Sequence, residues 1–322
     1  MTILVTGAAG FIGARVASLL LDRGEAVIGL DTVNDYYDPK IKEARLASLE
    51  GREGWTFVRG DLAAEGVLDA LPRGIDRVIH LAAQAGVRYS IEAPMAYAHA
   101  NLTGHARVLE FARHRGVHHT VYASSSSVYG GNAEVPFAED HRTDDPVSFY
   151  GATKKADEAL SQSYARLYGL KLTGLRFFTV YGPAGRPDMA YFLFAEAIRA
   201  GRPIKLFNEG RMSRDFTYVD DVADGVVRAL DRPDREGVPH RLYNLGNDRP
   251  QELSTMVELL ERALGREAVK EFAPMQPGDV ERTWADIDRA RAELGYAPTV
   301  ALGEGLDRFA VWYRQWTGWD AR

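Results

Sequence analysis

Residues 3–13 read ILVTGAAGFIG, and this stretch decides the fold. Its first four residues are apolar or β-branched and predict a buried strand, and apolar residues recur at helical spacing from Phe11 onward. Between the two elements, Gly7 permits a tight turn, Gly10 lets the backbone approach a pyrophosphate, and Gly13 lets helix and strand pack closely. The start of the helix offers unpaired N–H groups to phosphates. The stretch therefore predicts a dinucleotide site.

An acidic residue ends the next predicted strand. The apolar run Ala26–Leu30 is followed by Asp31, 18 residues after Gly13. A carboxylate at this place accepts hydrogen bonds from both ribose hydroxyls and repels a 2′-phosphate. The sequence therefore favours NAD over NADP as the cofactor.

The first half of the chain alternates short apolar runs with helical patterns. We expect helices near 94–115 and 148–168 and a sixth strand near 171–177. The five strands predicted before these are 3–6, 26–30, 56–58, 77–81 and 119–123. Strands separated by helices indicate an α/β fold with a doubly wound parallel sheet covered on both faces.

The pattern changes after about residue 180, where Pro and Gly become frequent. We expect residues 1–180 to form the dinucleotide-binding domain and residues 181–322 to form mainly a smaller α+β substrate domain. Two later segments, near 215–230 and 240–247, are expected to return to the first domain, with 215–219 and 241–245 as strands of its sheet.

Composition excludes several functional classes. The chain has 322 residues, 46% of them hydrophobic, and a net charge of −6, which disfavours a general nucleic-acid or membrane-surface role. No stretch approaches 18 consecutive apolar residues, so no membrane span is expected. The absence of cysteine excludes thiolate chemistry and fits a reducing compartment, so we expect a cytoplasmic protein.

Two segments after predicted strands belong at the same edge of the sheet, because ligands of such sheets bind at the carboxyl ends of strands. Asp61 and Leu62 follow the third strand and are expected near the adenine. The small residues in Leu81-Ala82-Ala83 follow the fourth strand and would let a cofactor pass over the sheet edge.

A tyrosine and a lysine lie one helical turn apart. Tyr150 and Lys154 share one helix face, and an ammonium near a phenol favours the phenolate, which makes Tyr150 a candidate general base. Four serines, 124–127, end the fifth strand, where a hydroxyl could share the substrate proton. Because strand side chains alternate, we expect Ser125 and Ser127 to point the same way, with Ser126 between them.

Other clusters predict structure rather than a metal site. His114, His118 and His119 lack helical spacing because Gly116 interrupts them, so we interpret them as a solvated helix end. Asp220-Asp221 is interpreted as a helix N-cap with first-turn charge, and the C-terminal aromatic residues as core packing. No metal site is expected.

The glycine turn, the serine run before Val128-Tyr129-Gly130 and the Tyr150/Lys154 pair together resemble the extended short-chain dehydrogenase/reductase family, over most of the chain. Longer stretches resemble UDP-glucuronate 4-epimerases, namely 34–39 (NDYYDP), 83–90 (AQAGVRYS), 176–183 (RFFTVYGP) and 185–190 (GRPDMA). Two further stretches, 215–221 (DFTYVDD) and 276–280 (QPGDV), resemble the nucleotide-sugar-binding segments of that family.

The resemblance implies a Rossmann-type fold and an NAD-dependent inversion at C4 of a UDP-linked uronic acid, from UDP-glucuronate to UDP-galacturonate through a 4-keto sugar. It implies catalytic roles for Tyr150, Lys154 and the hydroxyls of Ser125, Ser126 and Ser127. The implied NAD-binding residues are Gly7, Gly10, Phe11, Ile12, Gly13, Asp31, Asn34, Asp61, Leu62, Leu81, Ala82, Ala83, Asn101, Tyr150, Lys154 and Phe177. The implied substrate-binding residues are Gln84, Arg88, Ser126, Ser127, Thr179, Arg186, Phe207, Arg214, Gln276 and Asp279.

Two further expectations follow from the resemblance. Arg214 matches a diphosphate-binding arginine, whereas Gln276 stands where many relatives have a second one, so Arg282 is a candidate replacement. Members of the family often form homodimers through the helices that correspond to 94–115 and 148–168.

Three alternatives stay open. A dehydratase or decarboxylase of the same fold would carry a glutamate where Ser127 stands. A non-catalytic NAD-binding regulator would need neither Tyr150 nor Lys154. Among epimerases, the main alternative is a UDP-glucose 4-epimerase.

Overall fold

A parallel sheet with helices on both faces forms the frame of the molecule. The computed structural model describes residues 1–233, 237–275 and 280–320. Its strands are β1 (Thr2–Thr6), β2 (Ala26–Asp31), β3 (Trp55–Arg59), β4 (Arg77–His80), β5 (His119–Ser125), β6 (Leu172–Phe177), β7 (Thr179–Tyr181), β8 (Ile204–Phe207), β9 (Ser213–Arg214), β10 (Phe216–Tyr218), β11 (His240–Leu245), β12 (Gln251–Glu252) and β13 (Lys270–Ala273).

The helical segments include the two predicted near 94–115 and 148–168. They are α1 (Phe11–Asp22), α2 (Pro39–Ala47), α3 (Tyr89–Glu92), α4 (Pro94–Tyr97), α5 (Gly104–Arg115), α6 (Phe149–Tyr168), α7 (Ala190–Arg199), α8 (Val219–Leu230), α9 (Leu253–Leu264), α10 (Asp288–Leu294) and α11 (Leu302–Thr317). A π-helical segment, Ala98–Thr103, joins α4 to α5.

The central sheet has seven strands in the order β11-β6-β5-β4-β1-β2-β3, all parallel. The chain moves outward from β1 in one direction through β2 and β3, and then in the other direction through β4, β5 and β6. A cleft therefore opens at the carboxyl ends of β1 and β4, where the direction reverses. The predicted doubly wound α/β fold is confirmed.

One of the two segments expected to return to this sheet does so. His240–Leu245 forms β11 beside β6, but Phe216–Tyr218 pairs with β7 in a separate two-stranded parallel sheet. The Thr179 N–H donates to the Asp215 carbonyl at 3.1 Å, which ties β10 to the chain after it has left β6. Since β11 occupies the edge beside β6, the expectation of a sheet strand at 215–219 was wrong.

Apolar residues form two main cores. One lies beneath α1 and α8 against the central sheet, with Ile3, Val5 and Val226 fully buried. The other joins α7, α9 and α11 with β8, and aromatic rings such as those of Phe309 and Tyr313 fill it. The cleft between sheet and second core is the place where a ligand contacts both.

The C-terminal aromatic residues contribute to packing, as predicted, but to different degrees. Tyr313 is fully buried, and Trp312 is partly buried against the second core. Trp316 stacks on Trp312 with ring centroids 5.7 Å apart and keeps 40% of its surface exposed. Among the described residues, no helix is both long and apolar enough to cross a bilayer.

Candidate active site

A cavity of about 1290 Å³ occupies the cleft at the carboxyl ends of β1, β4 and β5. Single small-molecule sites typically measure about 300–1,000 Å³, so this cavity has room for two ligands side by side. Its wall includes most of the predicted site residues, namely Gly7, Gly10, Phe11, Ile12, Gly13, Asp31, Asn34, Asp61, Leu62, Leu81, Ala82, Ala83, Gln84, Arg88, Ser125, Ser126, Ser127, Tyr150, Lys154, Phe177, Thr179, Arg186, Phe207 and Arg214.

The glycine turn is closed so tightly that side chains are excluded. A Cβ on Gly7, whose φ is +73°, would stand 2.6 Å from the Ala82 nitrogen. A Cβ on Gly13 would stand 2.0 Å from the Gly7 carbonyl oxygen, and one on Gly10 2.8 Å from the same atom. Helix α1 has no side-chain N-cap and no acidic residue in its first turn, so its N–H groups remain available for a phosphate.

Asp31 at the end of β2 fixes the loop around it. Its Oδ2 accepts from the Ala9 N–H at 3.0 Å and its Oδ1 from the Val33 N–H at 2.8 Å. Val33 holds a φ of +52°, which is unusual for a β-branched residue and indicates local strain. The carboxylate thus shapes the cavity edge, and its remaining lone pairs are available to ribose hydroxyls.

Two cations beside Asp31 were missed by the sequence analysis. Lys42 is buried, and its Nζ donates to the Asn34 carbonyl at 2.7 Å; burial lowers the pKa of Lys42. Arg45 is also buried and donates to the carbonyls of Ala9, Ala184 and Gly185. Both residues lie on α2. Their hydrogen-bond partners lie on loops, some of them far away in sequence, so no local pattern indicates that the two side chains are buried.

Asp61 follows β3 and lines the cavity at that strand's carboxyl end. Its Oδ1 accepts from the Ala63 N–H at 2.9 Å, and its Oδ2 hydrogen-bonds with His99 Nε2 at 2.7 Å. Partial burial acts to raise the pKa of this carboxyl, but the bonds from His99 and Ala63 outweigh it and lower the pKa.

Asn101 does not line the cavity, which differs from the prediction that it binds the cofactor directly. It is buried in the π-helical segment, and its Oδ1 accepts from the Gln84 N–H at 2.8 Å. Its Nδ2 donates to the Gln84 carbonyl and to Thr153 Oγ1. Since both ends of the amide are occupied, Asn101 holds the Gln84 backbone in place from behind the wall.

Tyr150 and Lys154 occupy the first turns of α6 on its cavity side. The helix begins at a side-chain cap, in which Ser148 Oγ accepts from the Gly151 N–H at 3.0 Å. Lys154 is almost fully buried and donates to the Ala123 carbonyl at 3.0 Å, so the lysine is fixed against β5. The Tyr150 ring contacts the Tyr97 ring edge-to-face at 6.0 Å.

The four serines line the cavity but do not alternate as a strand would require. Strand β5 ends at Ser125, and the chain turns into a short 3₁₀ helix at Ser126–Tyr129. Ser125 Oγ caps this helix by accepting from the Ser127 N–H at 3.1 Å. The strand alternation on which the expectation for Ser125 and Ser127 rests therefore ends at the cap, and Ser126 and Ser127 belong to a helical turn instead.

The segment that follows β7 brings to the cavity an ion pair that the sequence analysis did not predict. Arg186 donates through Nε to Asp188 Oδ1 at 3.0 Å and through Nη2 to Asp188 Oδ2, and the Tyr36 hydroxyl donates to the same carboxylate at 3.1 Å. Burial acts to raise the pKa of Asp188, but Arg186 outweighs it and lowers the pKa. Burial and the charge of Asp188 raise the pKa of Tyr36 to about 12.

The remaining predicted substrate residues lie toward the second core. The Arg88 guanidinium stands 5.2 Å from the centre of the Phe207 ring. Arg214 donates to the carbonyls of Ser213 and Glu281 and reaches the cavity. Gln276 and Asp279 lie outside the described residues. Arg282 is exposed and does not line the cavity, so the structure gives no support for it as a replacement cation.

Several residues from the predicted clusters serve structure instead. Asp215 is fully buried and accepts from the N–H groups of Asn247, Asp248 and Ala285. His119 is buried within β5 and contacts Thr173, so it is not part of a solvated helix end. In the described ranges, no group of three or more His, Cys, Asp or Glu side chains could hold a metal ion.

Comparison with protein families matches residues 3–246 to the model described as "NAD dependent epimerase/dehydratase family". The match covers the glycine turn, the serine run and the Tyr150/Lys154 pair. The chain belongs to the NAD-dependent epimerase/dehydratase family.

Individual members of the family are similar to almost the whole chain. A probable UDP-glucuronate 4-epimerase from Rhizobium meliloti is 46% identical over 98% of this chain and 97% of that protein. UDP-glucuronate 4-epimerase 4 from Arabidopsis thaliana is 47% identical over 100% of this chain and 77% of that protein. The crystal structure of UDP-glucuronic acid 4-epimerase from Bacillus cereus, in complex with UDP-glucuronic acid and NAD, has a TM-score of 0.92, with 34% identity and coverage of 98% of this chain and 100% of that one.

The cofactor of the epimerase/dehydratase family fits the residues present here. The cradle around Gly7, Gly10 and Gly13 excludes any side chain and leaves room for a pyrophosphate. The uncapped helix start can donate to phosphates, and Asp31 at the end of β2 offers acceptors where folds of this kind bind the ribose. Lys154 and Tyr150 lie on the side of the cavity formed by β5 and α6.

Proposed function

We propose that this protein inverts C4 of UDP-glucuronate to give UDP-galacturonate, with NAD as a cofactor that is regenerated in each cycle. The single observation that carries the proposal is the shared cavity, in which Tyr150 and Lys154 stand beside Ser126 and Ser127 and face the strand ends that carry the glycine turn. The similarity to UDP-glucuronate 4-epimerases over nearly the whole chain supports it.

Tyr150 acts as the general base and acid of the reaction. As a phenolate it takes the proton of the sugar 4-hydroxyl, and it returns a proton when the alcohol forms again. When bound, NAD⁺ would supply the hydride acceptor for C4 and, once reduced, the hydride donor for the opposite face of the 4-keto sugar. The cavity supports this assignment because Tyr150 lines it together with the glycine turn that would hold the cofactor.

Lys154 keeps Tyr150 reactive. The lysine is held between the Ala123 carbonyl and helix α6, so its ammonium has a fixed place one helical turn from Tyr150. A cation at that place favours the phenolate. Two N–H groups of the ammonium donate to the Ala123 carbonyl and to Asp157 Oδ2, so the third is available for the nicotinamide ribose.

The sugar carboxylate is held by hydroxyls and one arginine. Ser126, Ser127 and Thr179 line the cavity and offer donors to the C6 carboxylate. Arg186 adds a charge, but Asp188 already binds it in a bidentate ion pair. Recognition through Arg186 therefore requires the substrate to share the guanidinium with Asp188.

The diphosphate and uridine belong toward the second core. Arg214 and Arg88 reach this part of the cavity, and a guanidinium binds phosphate oxygens in pairs. Phe207 offers an aromatic surface beside Arg88. We assign these three residues to the nucleotide half of the substrate.

A second candidate function is the epimerisation of UDP-glucose. The pairing of Arg186 with Asp188 favours it, because a guanidinium that is already neutralised discriminates less between a carboxylate and a hydroxymethyl group. A decarboxylase or dehydratase is less well supported, since Ser127 stands where such enzymes carry a glutamate.

One experiment separates these functions. The purified protein is incubated with UDP-glucuronate and, separately, with UDP-glucose, and the products are identified by NMR. We expect UDP-galacturonate from the first and little turnover of the second. Rapid conversion of UDP-glucose alone would replace the proposal by its neutral alternative, and loss of carbon dioxide as the main reaction would make the protein a decarboxylase.

We also propose that the protein forms a homodimer through α5 and α6. Leu167 and Tyr168 at the end of α6 are 68% and 44% exposed, and the Arg113 guanidinium lies 3.9 Å from the Tyr168 ring centre. An apolar helix end of this kind fits a partner helix. Sedimentation of the wild type should give a dimer and Leu167→Glu should weaken it; a monomeric wild type contradicts the proposal.

We propose the cytoplasm as the place of action, because a chain without cysteine needs no oxidising compartment. Fractionation of the source cells with an antibody to the protein tests this, and recovery in an extracytoplasmic fraction contradicts it.

A further inference from the structure

Asp157 is a fully buried carboxylate one turn beyond Lys154 on α6. Its Oδ2 lies 3.1 Å from Lys154 Nζ, and both side chains are closed to solvent, with exposures of 0% and 3%. Its Oδ1 is buried and has no hydrogen-bond partner among the described residues. A buried carboxylate with one oxygen left unsatisfied costs stability, so its presence beside Lys154 needs an explanation.

The groups that face this pair from neighbouring elements leave Asp157 as its counter-charge. His80 on β4 and His105 on α5 stack at 5.3 Å, and burial lowers the pKa of both, to about 3 for His80, so they are neutral near pH 7. Burial raises the pKa of Tyr122 on β5 well above its ordinary value. These three groups therefore bring no charge to Lys154.

Glu158, the next residue on α6, is occupied elsewhere. Its carboxylate forms two hydrogen bonds with Arg176, at 2.8 and 2.9 Å, and Lys155 lies 3.8 Å away. The charge of Glu158 is thus balanced by its own partners. In the part of the chain that the structure describes, Asp157 is the carboxylate that is paired with Lys154.

We propose that Asp157 is a positioning residue that acts through Lys154: as the counter-charge of the ammonium it weakens the effect of Lys154 on Tyr150, so that Asp157 sets the lower pH limit of activity. This inference rests on the proposed function, in which Tyr150 must be a phenolate.

The sign of the effect follows from electrostatics. Lys154 favours the phenolate, and a carboxylate 3.1 Å from the ammonium cancels much of that attraction at the distance of one helical turn. Burial raises the pKa of Asp157 to about 6, although Lys154 acts in the other direction, so the carboxylate is charged above about pH 6. Removing this charge makes the Tyr150 phenolate easier to form.

The variant Asp157→Asn tests the inference because it removes the charge and keeps the shape. Lys154 stays attached to the Ala123 carbonyl in this variant. We expect the acidic limb of the profile of kcat against pH to move down by roughly one pH unit, the lower end of what a nearby charge does. Affinity for NAD, measured by calorimetry, should change little, since the lysine remains in place.

A spectroscopic arm does not depend on activity. The absorbance of tyrosinate is followed against pH in Asp157→Asn and in the wild type, each with its Tyr150→Phe counterpart subtracted. The Tyr150 phenolate should form at lower pH in Asp157→Asn. If the wild type does not interconvert UDP-sugars but this shift occurs, the proposed function fails, and the electrostatic effect of Asp157 on Lys154 and Tyr150 stands.

Two controls keep the test sharp. Asp220→Asn removes the same charge from an ion pair with Arg15 outside the cavity wall and should leave the profile unchanged. Asp157→Ser, smaller and uncharged, should reproduce the shift and serves if Asp157→Asn does not fold. An unmoved or upward-moved limb in the Asp157 variants, or an equal shift in Asp220→Asn, overturns the inference.

Discussion

Arg176 on β6 and Glu158 on α6 form a bidentate ion pair in the interior, with Nε–Oε1 and Nη2–Oε2 distances of 2.8 and 2.9 Å. Both side chains are 3% exposed or less. The same Glu158 Oε1 accepts from Ser124 Oγ at 2.7 Å, so the pair connects strand, helix and the serine run at the cavity. Its integrity therefore matters for the fold and for the site.

Glu158→Gln should lower the free energy of unfolding by about 3–5 kcal/mol, because it leaves the buried Arg176 charge without its partner. Asp224→Asn removes a carboxylate from the exposed pair with Arg228 and should cost less than about 1 kcal/mol. Urea unfolding followed by circular dichroism measures both. Equal losses in the two variants would mean that burial adds nothing to the Arg176–Glu158 pair.

Tyr150→Phe should keep the fold and the affinity for NAD but lower kcat by roughly 10²–10⁴-fold, the usual contribution of a positioned acid or base. Tyr164→Phe, on the same helix but outside the cavity wall, is the matched control and should stay active. Steady-state turnover of UDP-glucuronate is the measurement. Near wild-type kcat in Tyr150→Phe would remove Tyr150 from the mechanism.

Arg186→Ala should reduce kcat/KM for UDP-glucuronate more than for UDP-glucose, by roughly tenfold to a hundredfold, because only the uronate offers a charge to the guanidinium. The double variant Arg186→Ala/Asp188→Asn removes the unpaired carboxylate as well and should keep the same bias. Rates on both substrates decide the matter. Losses of the same size on both would make Arg186 a structural or phosphate-binding residue.

Ser127→Glu should raise the fraction of UDP-pentose among the products if the variant still oxidises C4. The ketone at C4 is β to the C6 carboxylate, and such acids lose carbon dioxide readily unless hydrogen bonds hold the carboxylate away from the reactive geometry. The wild type should release almost no pentose. The control Ser127→Gln has a side chain of the same shape as glutamate but without its charge, and it should raise the pentose fraction less. Mass spectrometry measures the product ratios. Equal pentose fractions in the two variants would contradict the role of the charge.

The histidines buried behind the site should make stability depend on pH. Burial lowers the pKa of His240 from 6.5 to about 4, while Glu158 acts in the other direction. Between these pH values the unfolded chain binds a proton that the folded protein refuses, so stability is full above about pH 6.5 and falls as the pH drops toward 4. His240→Gln should remove up to about 3 kcal/mol of this dependence.

Urea unfolding at a series of pH values measures that slope. His114→Gln replaces a histidine on the exposed side of α5 and should leave the slope unchanged. A slope in His240→Gln as steep as in the wild type would assign the dependence to other groups.

The sequence alone determined the class of fold and one end of the site. The glycine turn, the strand–helix alternation and the four-residue spacing of Tyr150 and Lys154 are local patterns, and local patterns survive in any fold that uses them. The parallel sheet, the NAD-dependent family and the helices near 94–115 and 148–168 follow from such patterns. Each depends on residues within one turn, strand or helix of each other.

Only the tertiary structure decided which partners the side chains have. It pairs Asp188 with Arg186 and Tyr36, ends β5 at the Ser125 cap, turns Asn101 away from the cavity and moves β10 off the central sheet. A carboxylate is ordinarily found at a surface, yet Asp157 is fully buried. The topology brings together residues that are far apart in sequence, and burial then shifts their pKa values. Residue spacing along the chain predicts neither the contacts nor the shifts.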